Sequence, residues 1–576
     1  MDTSRLFRTT GTVVAAAALL VSGCSSSGVP SPGSAATASP PGPPSPSPSP
    51  SLGSEHGRSG EAVGRGGSDD GGAGRADARA RETGAPDGWA TANRTTTALH
   101  PLPPAVPTPL RGYYAQRLRW RSCGASGFEC ATLRVPLDYE RPGADRDVRL
   151  SVSRKRATDG PRRLGSLLVN PGGPGGSAIG YLQSYAGIGY PGAVRARYDM
   201  VAFDPRGVGR SEPVRCLSGR EMDAHVRTDQ TPDDAAEKRS LVRAYEKLAR
   251  GCQRGSDRLL GHLSTTEAAR DMDVLRAVLG DRKLTYVGAS YGTFLGATYA
   301  GLFPGRAGRL VLDAAMDPSL GAEQMNLEQT AGFETALTAF MTDCVRRADC
   351  PLGTDDSAEA TNLLADLLHR VDARPLPTEE GRTLTESLAT TAVMSAMYDE
   401  GAWPALRSGL AEAIRGDGTE LLQLSDAFYE RSDNGTYSNL MVANQAVNCL
   451  DLPPAFHSPA DASQSLPAFR KASPLFGETL AWSALSCAYW PVEATGRPHR
   501  IEARGAAPIL VVGTTRDPAT PYRWARSLAA QLSSARLLTY DGDGHTAYGR
   551  GSECADRTIN TYLLTGQLPA PDTTCT

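Results

Sequence analysis

The sequence lacks a surplus of charge of either sign. Its 60 basic and 63 acidic side chains leave a formal net charge of −3, so the chain as a whole carries no electrostatic footprint for nucleic acid. It also lacks a membrane-spanning run at its N-terminus. The apolar stretch over residues 13–21 holds nine residues, where a bilayer requires about twenty. No group of cysteines and histidines has zinc spacing, which excludes a metal site of the finger or ribbon type. What remains is a chain of 576 residues with ordinary apolar content, too long for one small domain.

The short apolar run fits an export signal instead. Arg5 and Arg8 precede it, and it ends in Leu20-Val21-Ser22-Gly23-Cys24, which resembles the lipobox of bacterial lipoproteins. A plain secretory signal with an incidental cysteine is the alternative. The position of Cys24 and the low-complexity segment behind it favour lipidation, and two or more acyl chains on one cysteine anchor a protein stably. The expected location is therefore outside the cell, on the outer face of the membrane. Of eleven cysteines, ten remain once Cys24 is set aside, an even number that favours disulfides in an exported chain. Adjacency suggests Cys123/Cys130, Cys216/Cys252, Cys344/Cys350, Cys449/Cys487 and Cys554/Cys575, although spacing alone does not determine connectivity.

After the signal (1–24), residues 25–112 are rich in Ser, Pro, Gly and Ala. Such a segment buries too little apolar surface to offset its chain entropy and reads as a disordered tether. Apolar runs at 164–169, 198–203, 284–287 and 309–312 then read as buried strands. Between the second and third, residues 265–279 place Ala268, Met272, Leu275 and Leu279 at helical spacing. This order implies an α/β fold: a mostly parallel sheet with helices on both faces. From 320 to 495 strand signals fade, and Leu363, Leu364, Leu367 and Leu368 form one helical stripe. Strands resume at 509–512 and 537–540. The reading is a core in two parts, 113–319 and 496–576, interrupted by a helical cap.

The chemistry is carried by Gly288-Ala289-Ser290-Tyr291-Gly292, set between the strand 284–287 and a helix beginning near Thr293. G-x-S-x-G alone is weak evidence. At a strand-to-helix elbow, however, it exposes the serine at the C-terminal edge of the sheet, beside a helix N-terminus that favours negative charge. A serine hydroxyl requires a base, and the base an orienting acid, in the chain order Ser, acid, His. His545 lies in the glycine-rich turn after the last strand. His457 and His499 sit in proline-containing stretches and read as surface or cap residues. Asp517 follows the strand 509–512 and is the expected acid, with Asp313 as rival. Asp541 and Asp543 are expected to shape the turn around His545. The run Asn170-Pro171-Gly172-Gly173-Pro174-Gly175-Gly176 follows the first core strand, where this fold places its oxyanion loop. Gly172 or Gly173 would supply one backbone donor and Tyr291 the second. A phosphate-binding loop is the alternative, but the run lacks the Lys-Ser/Thr ending, and its prolines remove N–H groups that such a cradle would use.

These motifs, together with Phe203-Asp204-Pro205-Arg206-Gly207-Val208-Gly209-Arg210-Ser211, resemble the prolyl-iminopeptidase-like serine peptidases of the α/β-hydrolase fold. Val135-Pro136-Leu137-Asp138-Tyr139, the 265–279 helix, Asn448-Cys449-Leu450-Asp451 and Asp517-Pro518-Ala519-Thr520-Pro521 resemble their secreted tripeptidyl aminopeptidase branch, in order, from about residue 115 onward. The resemblance implies release of short peptides, tripeptides in that branch, from a free N-terminus. It also implies cap carboxylates that hold the substrate amine, for which Asp451 and Glu400 are candidates, a structural turn residue being the alternative for Asp451. Where simple proline iminopeptidases have His-Gly-Gly-Pro-Gly, this chain has Pro171 in place of the histidine, which leaves substrate length and proline preference open. No metal or cofactor is implied. Two other readings are an esterase or amide hydrolase of small molecules with the same triad, and a surface lipoprotein that binds without catalysing. A binder has no need for serine, acid, histidine and glycine loop together.

Overall fold

The central parallel strands form because their sequences are apolar on both faces, the pattern of a sheet covered by helices on each side. In the computed structural model, which describes residues 96–143, 147–353 and 355–576, twelve strands are present: β1 (Arg121–Ser122), β2 (Phe128–Pro136), β3 (Asp147–Lys155), β4 (Gly165–Asn170), β5 (Tyr198–Phe203), β6 (Leu284–Ala289), β7 (Ala307–Asp313), β8 (Leu376–Pro377), β9 (Thr383–Leu384), β10 (Ile509–Arg516), β11 (Ala535–Asp543) and β12 (Thr573–Cys575). Ten of them make one sheet in the order β1-β2-β3-β5-β4-β6-β7-β10-β11-β12. The first three strands and the β3–β5 pair are antiparallel. From β5 through β12 every pair is parallel.

Alternation along each strand divides the core. Leu167, Val169 and Met200 face one apolar cluster with Val311, Leu510 and Val512. Leu168 and Val201 face the other, which continues into the helices beyond β7. Those helices run from Ala322–Cys344 to Gly477–Ser483 and include Glu386–Ala396, Trp403–Arg415, Thr419–Phe428 and Leu440–Asp451. The insertion is not wholly helical, because β8 and β9 form a small antiparallel hairpin within it. In the helix Ser357–Ala373 the stripe is narrower than expected: Leu364, Leu367 and Leu368 are buried, while Leu363 is exposed.

One boundary differs from the sequence reading. The signal, Cys24 and the tether up to residue 95 lie outside the described residues. The last part of the expected tether belongs to the folded body: the Leu99 N–H donates to the Arg500 carbonyl at 2.8 Å, and Leu102 N–H to Leu302 O at 2.9 Å. A few apolar side chains (Leu99, Leu102, Val106, Leu110) pack on the core, and composition averages them away. The antiparallel edge β1–β3 also lacked a strand expectation. Five disulfides join the adjacent cysteine pairs, Cys123–Cys130, Cys216–Cys252, Cys344–Cys350, Cys449–Cys487 and Cys554–Cys575. Among the described residues, no helix is long and apolar enough to cross a membrane.

Candidate active site

Ser290 stands between β6 and the helix Tyr291–Leu302, with φ 56° and ψ −125°. A non-glycine residue held there is strained, and the surrounding chain must enforce it. The flanking glycines leave no alternative. A Cβ on Gly292 would lie 2.8 Å from the Asn170 carbonyl oxygen, and one on Gly288 would run into the Gly292 carbonyl. The helix that follows presents its N-terminus to the serine, the end that favours developing negative charge.

Asp517 and His545 sit at the ends of β10 and β11, both buried. The imidazole Nδ1 lies 2.9 Å from each carboxylate oxygen of Asp517. A carboxylate only accepts when ionised, which makes Nδ1 the donor and leaves Nε2 as the acceptor. The carboxylate is held in turn by the N–H groups of Ala519 and Thr520 at 2.9 and 2.8 Å, and by the Thr520 hydroxyl at 3.1 Å. That hydroxyl also lies 3.5 Å from His545 Nδ1. Thr520 was quoted in the sequence only as part of a motif, and its role emerges from this geometry.

Asp313, the rival acid, does something different. Its backbone carbonyl accepts the Ser290 N–H at 2.9 Å. Its carboxylate accepts the N–H groups of Ala547 (3.1 Å to each oxygen) and Tyr548 (2.9 Å). One residue thus ties the serine elbow to the loop that carries the histidine. Burial pushes its carboxyl up to about 6, against the pull of those N–H groups. Asp541 and Asp543 do not bond His545. They hold Arg516, the neighbour of Asp517, at 2.8 and 2.7 Å, and so lock the ends of β10 and β11 together. His457 is exposed, and the His499 ring packs against Phe294 at 6.0 Å.

The glycine loop after β4 lies on the elbow. A Cβ on Gly172 (φ +99°) would fall 2.5 Å from Ala289 O, 2.8 Å from Ser290 Cβ and 3.0 Å from Tyr291 N. Only glycine permits that approach. The Gly172 N–H donates to the Asn170 side chain at 2.9 Å, so its donor is engaged within the loop. Gly173, the next residue, is exposed.

The two acids suggested for a substrate amine part company. Asp451 ends the cap helix Leu440–Asp451, is buried, and spends both oxygens on Thr265, accepting its N–H at 2.8 Å and its hydroxyl at 2.5 Å. Burial pushes its carboxyl up to about 7. Thr265 Oγ1 lies 2.6 Å from the Tyr291 hydroxyl, so Asp451 joins the cap to the core behind the elbow. Glu400, in contrast, is exposed and follows Tyr398, whose ring meets the His545 ring edge-on at 5.4 Å. Among the described residues, no group of His, Cys, Asp or Glu could hold a metal ion.

A serine on such an elbow, at the C-terminal edge of a parallel sheet, with an acid and a histidine further along the chain, defines a serine hydrolase of the α/β-hydrolase fold. Comparison with known proteins narrows the class. Residues 473–575 match the family described as TAP-like protein. The chain is 36% identical over 488 residues to serine protease Hip1 of Mycobacterium tuberculosis, covering 80% of this chain and 91% of that one. It is 38% identical over 490 residues to carboxylesterase B of the same species, covering 82% and 92%. It is 33% identical over 470 residues to the tripeptidyl aminopeptidase of Streptomyces lividans, covering 79% and 86%. The chain belongs to the tripeptidyl aminopeptidase-like branch of the α/β-hydrolase serine peptidases.

Proposed function

We propose that this protein is an exported serine exopeptidase that releases tripeptides from the free N-terminus of oligopeptides. Ser290 Oγ attacks the scissile carbonyl while His545 Nε2 takes its proton, and Asp517 holds the imidazole in the required tautomer. The oxyanion is met by backbone N–H groups, Tyr291 on one side and Gly173 on the other, the Gly172 N–H being held by Asn170. His545 then returns the proton to the leaving amine, and the C–N bond breaks. Water, deprotonated by the same histidine, hydrolyses the acyl-serine and restores the hydroxyl.

The observation that supports the peptide reading most directly is the cap turn at Tyr398–Glu400. The Tyr398 ring meets the ring of the proposed base, and two residues on stands the exposed carboxylate of Glu400, an opposite charge for a substrate ammonium. The name of one relative, carboxylesterase B, favours a second reading, an esterase with the same triad. The test compares one chromogenic tripeptide amide with its N-acetylated twin and with a simple acyl ester. Cleavage confined to the free-amine peptide supports the aminopeptidase. Equal cleavage of the acetylated peptide or the ester favours the general hydrolase.

Export and lipidation at Cys24 complete the proposal, with the Pro/Ser-rich tether holding the catalytic body away from the membrane surface. Metabolic labelling with an alkyne fatty acid should mark the wild-type protein and not Cys24→Ala. An unlabelled wild-type protein refutes the anchor.

A further inference from the structure

His545 is held by more than its acid. The cap helix Glu386–Ala396 gives way to a turn, Met397-Tyr398-Asp399, that lies directly on the chain around the histidine. The His545 N–H donates to the Tyr398 carbonyl at 2.8 Å. Arg550, five residues on, reaches back over the same turn. Its Nη1 donates to the Tyr398 carbonyl at 3.3 Å and to the His545 carbonyl at 3.2 Å. Its Nη2 donates to Asp399 Oδ1 at 2.9 Å, an oxygen that also accepts the Gly401 N–H at 2.9 Å.

Both backbone polar groups of His545 are thus engaged, the N–H by the cap and the carbonyl by a guanidinium that the cap itself fastens. The approach is close. A Cβ on Gly544 (φ +84°) would lie 2.8 Å from both Tyr398 O and Arg550 Nη2. The ion pair is shielded, each side chain being only 9% exposed. A charge-assisted bond so placed is stronger than one in water. A planar guanidinium also suits the task, because one Arg can serve two carbonyls and a carboxylate at once. The compact ammonium of a lysine lacks that fork.

We propose that Arg550, fastened by Asp399, is a positioning residue for the catalytic base: it locks the backbone of His545 to the cap and thereby aims the imidazole at Ser290. The cap is then part of the catalytic apparatus as well as the cover of the substrate cleft. The inference rests on His545 acting as the base.

The experiment uses a small fluorophosphonate, which reacts with Ser290 through the base and has no peptide to fill the cleft. Wild-type and His545→Ala proteins come first: rapid labelling lost in His545→Ala upholds the base, and a slow wild type or an unaffected variant overturns the reading beneath the inference. Arg550→Met is then expected to label about ten- to a hundredfold more slowly at a temperature well below its unfolding midpoint. Its kcat on the tripeptide amide should fall by the same factor while KM changes less than about threefold. Arg550→Lys should recover part of the rate, and adding Asp399→Asn to Arg550→Met should cost little more. Labelling of Arg550→Met within twofold of wild type overturns the proposal. If Arg550→Met does not fold, Asp399→Asn decides: a rate at least about fivefold lower supports the lock, and an unchanged rate overturns it.

Discussion

Replacing Asp313 by asparagine separates two carboxylates that the sequence placed in competition. Both stand at strand ends beside the histidine loop, but Asp517 bonds the imidazole and Asp313 bonds the backbone beyond it. An asparagine oxygen still accepts the Ala547 and Tyr548 N–H groups, though without charge assistance, a loss of roughly 1 kcal/mol. In Asp313→Asn, kcat should therefore fall less than about tenfold. In Asp517→Asn it should fall about ten-thousandfold, since the amide favours the wrong tautomer. Stability supplies an independent check. Burial raises the Asp313 pKa from 3.8 to about 6, so over that interval the folded state keeps a proton the unfolded chain has released. The associated stability is present below about pH 4 and lost as pH rises to about 6, leaving a cost on the order of 3 kcal/mol at neutral pH. Asparagine carries no such cost. Urea unfolding of wild type and Asp313→Asn should thus give a stability difference that moves in favour of the variant by about 3 kcal/mol between pH 4 and pH 7.5. Titrating groups that do not interact with Asp313 are shared by both proteins and cancel, whereas His545 and Asp517, which do interact with it, add a smaller change of their own. A difference that does not change with pH, or a ten-thousandfold loss of kcat in Asp313→Asn, would refute the reasoning.

Three further outcomes are expected. Ser290→Ala should lower kcat about a millionfold without lowering the unfolding midpoint, because the strained φ of 56° suits alanine no worse than serine; calorimetry beside the rate assay checks both halves. Gly172→Ala places a methyl 2.8 Å from Ser290 Cβ and should cost about a hundredfold in kcat by displacing the oxyanion loop, measured on the tripeptide amide. Arg206→Met removes the fully buried partner of Asp271, which the guanidinium meets at 2.8 Å; stranding that carboxylate should lower stability by about 3–5 kcal/mol in denaturant titration.

Several elements were legible in the linear chain because local pattern dictates them. The run over 198–203 is β5 to the residue, since a parallel strand covered on both faces is apolar at nearly every position, Asp199 near its start being the exception. The helix expected over 265–279 appears as Thr265–Val278, and it is buried on more than the apolar stripe that revealed it, since Asp271, Asp273 and Arg276 are buried beside Met272 and Leu275. The Gly288 to Gly292 elbow was readable because crowding admits only glycine at its flanks. The antiparallel edge β1–β3 was not legible: its strands bury only alternate residues, and polar residues interrupt each run.

Other features depend on contacts between residues far apart in the chain. Spacing showed acids at 313, 400, 451 and 517, but not which oxygen faces a ring, a backbone N–H, a threonine or solvent. The structure assigns those partners: the His545 imidazole to Asp517, the loop beyond it to Asp313, Thr265 to Asp451, and an exposed place on the cap turn to Glu400. The clasp of Arg550 on Asp399 spans 151 residues and has no local signature at either end. Candidates for nucleophile, base and glycine loop are legible in the sequence itself, because each lies in a glycine-containing turn at the end of a strand. Which carboxylate serves the base, and what fastens that base to the cap, only the tertiary structure decides, because hydrogen bonds choose partners by distance in space and the sequence records distance along the chain.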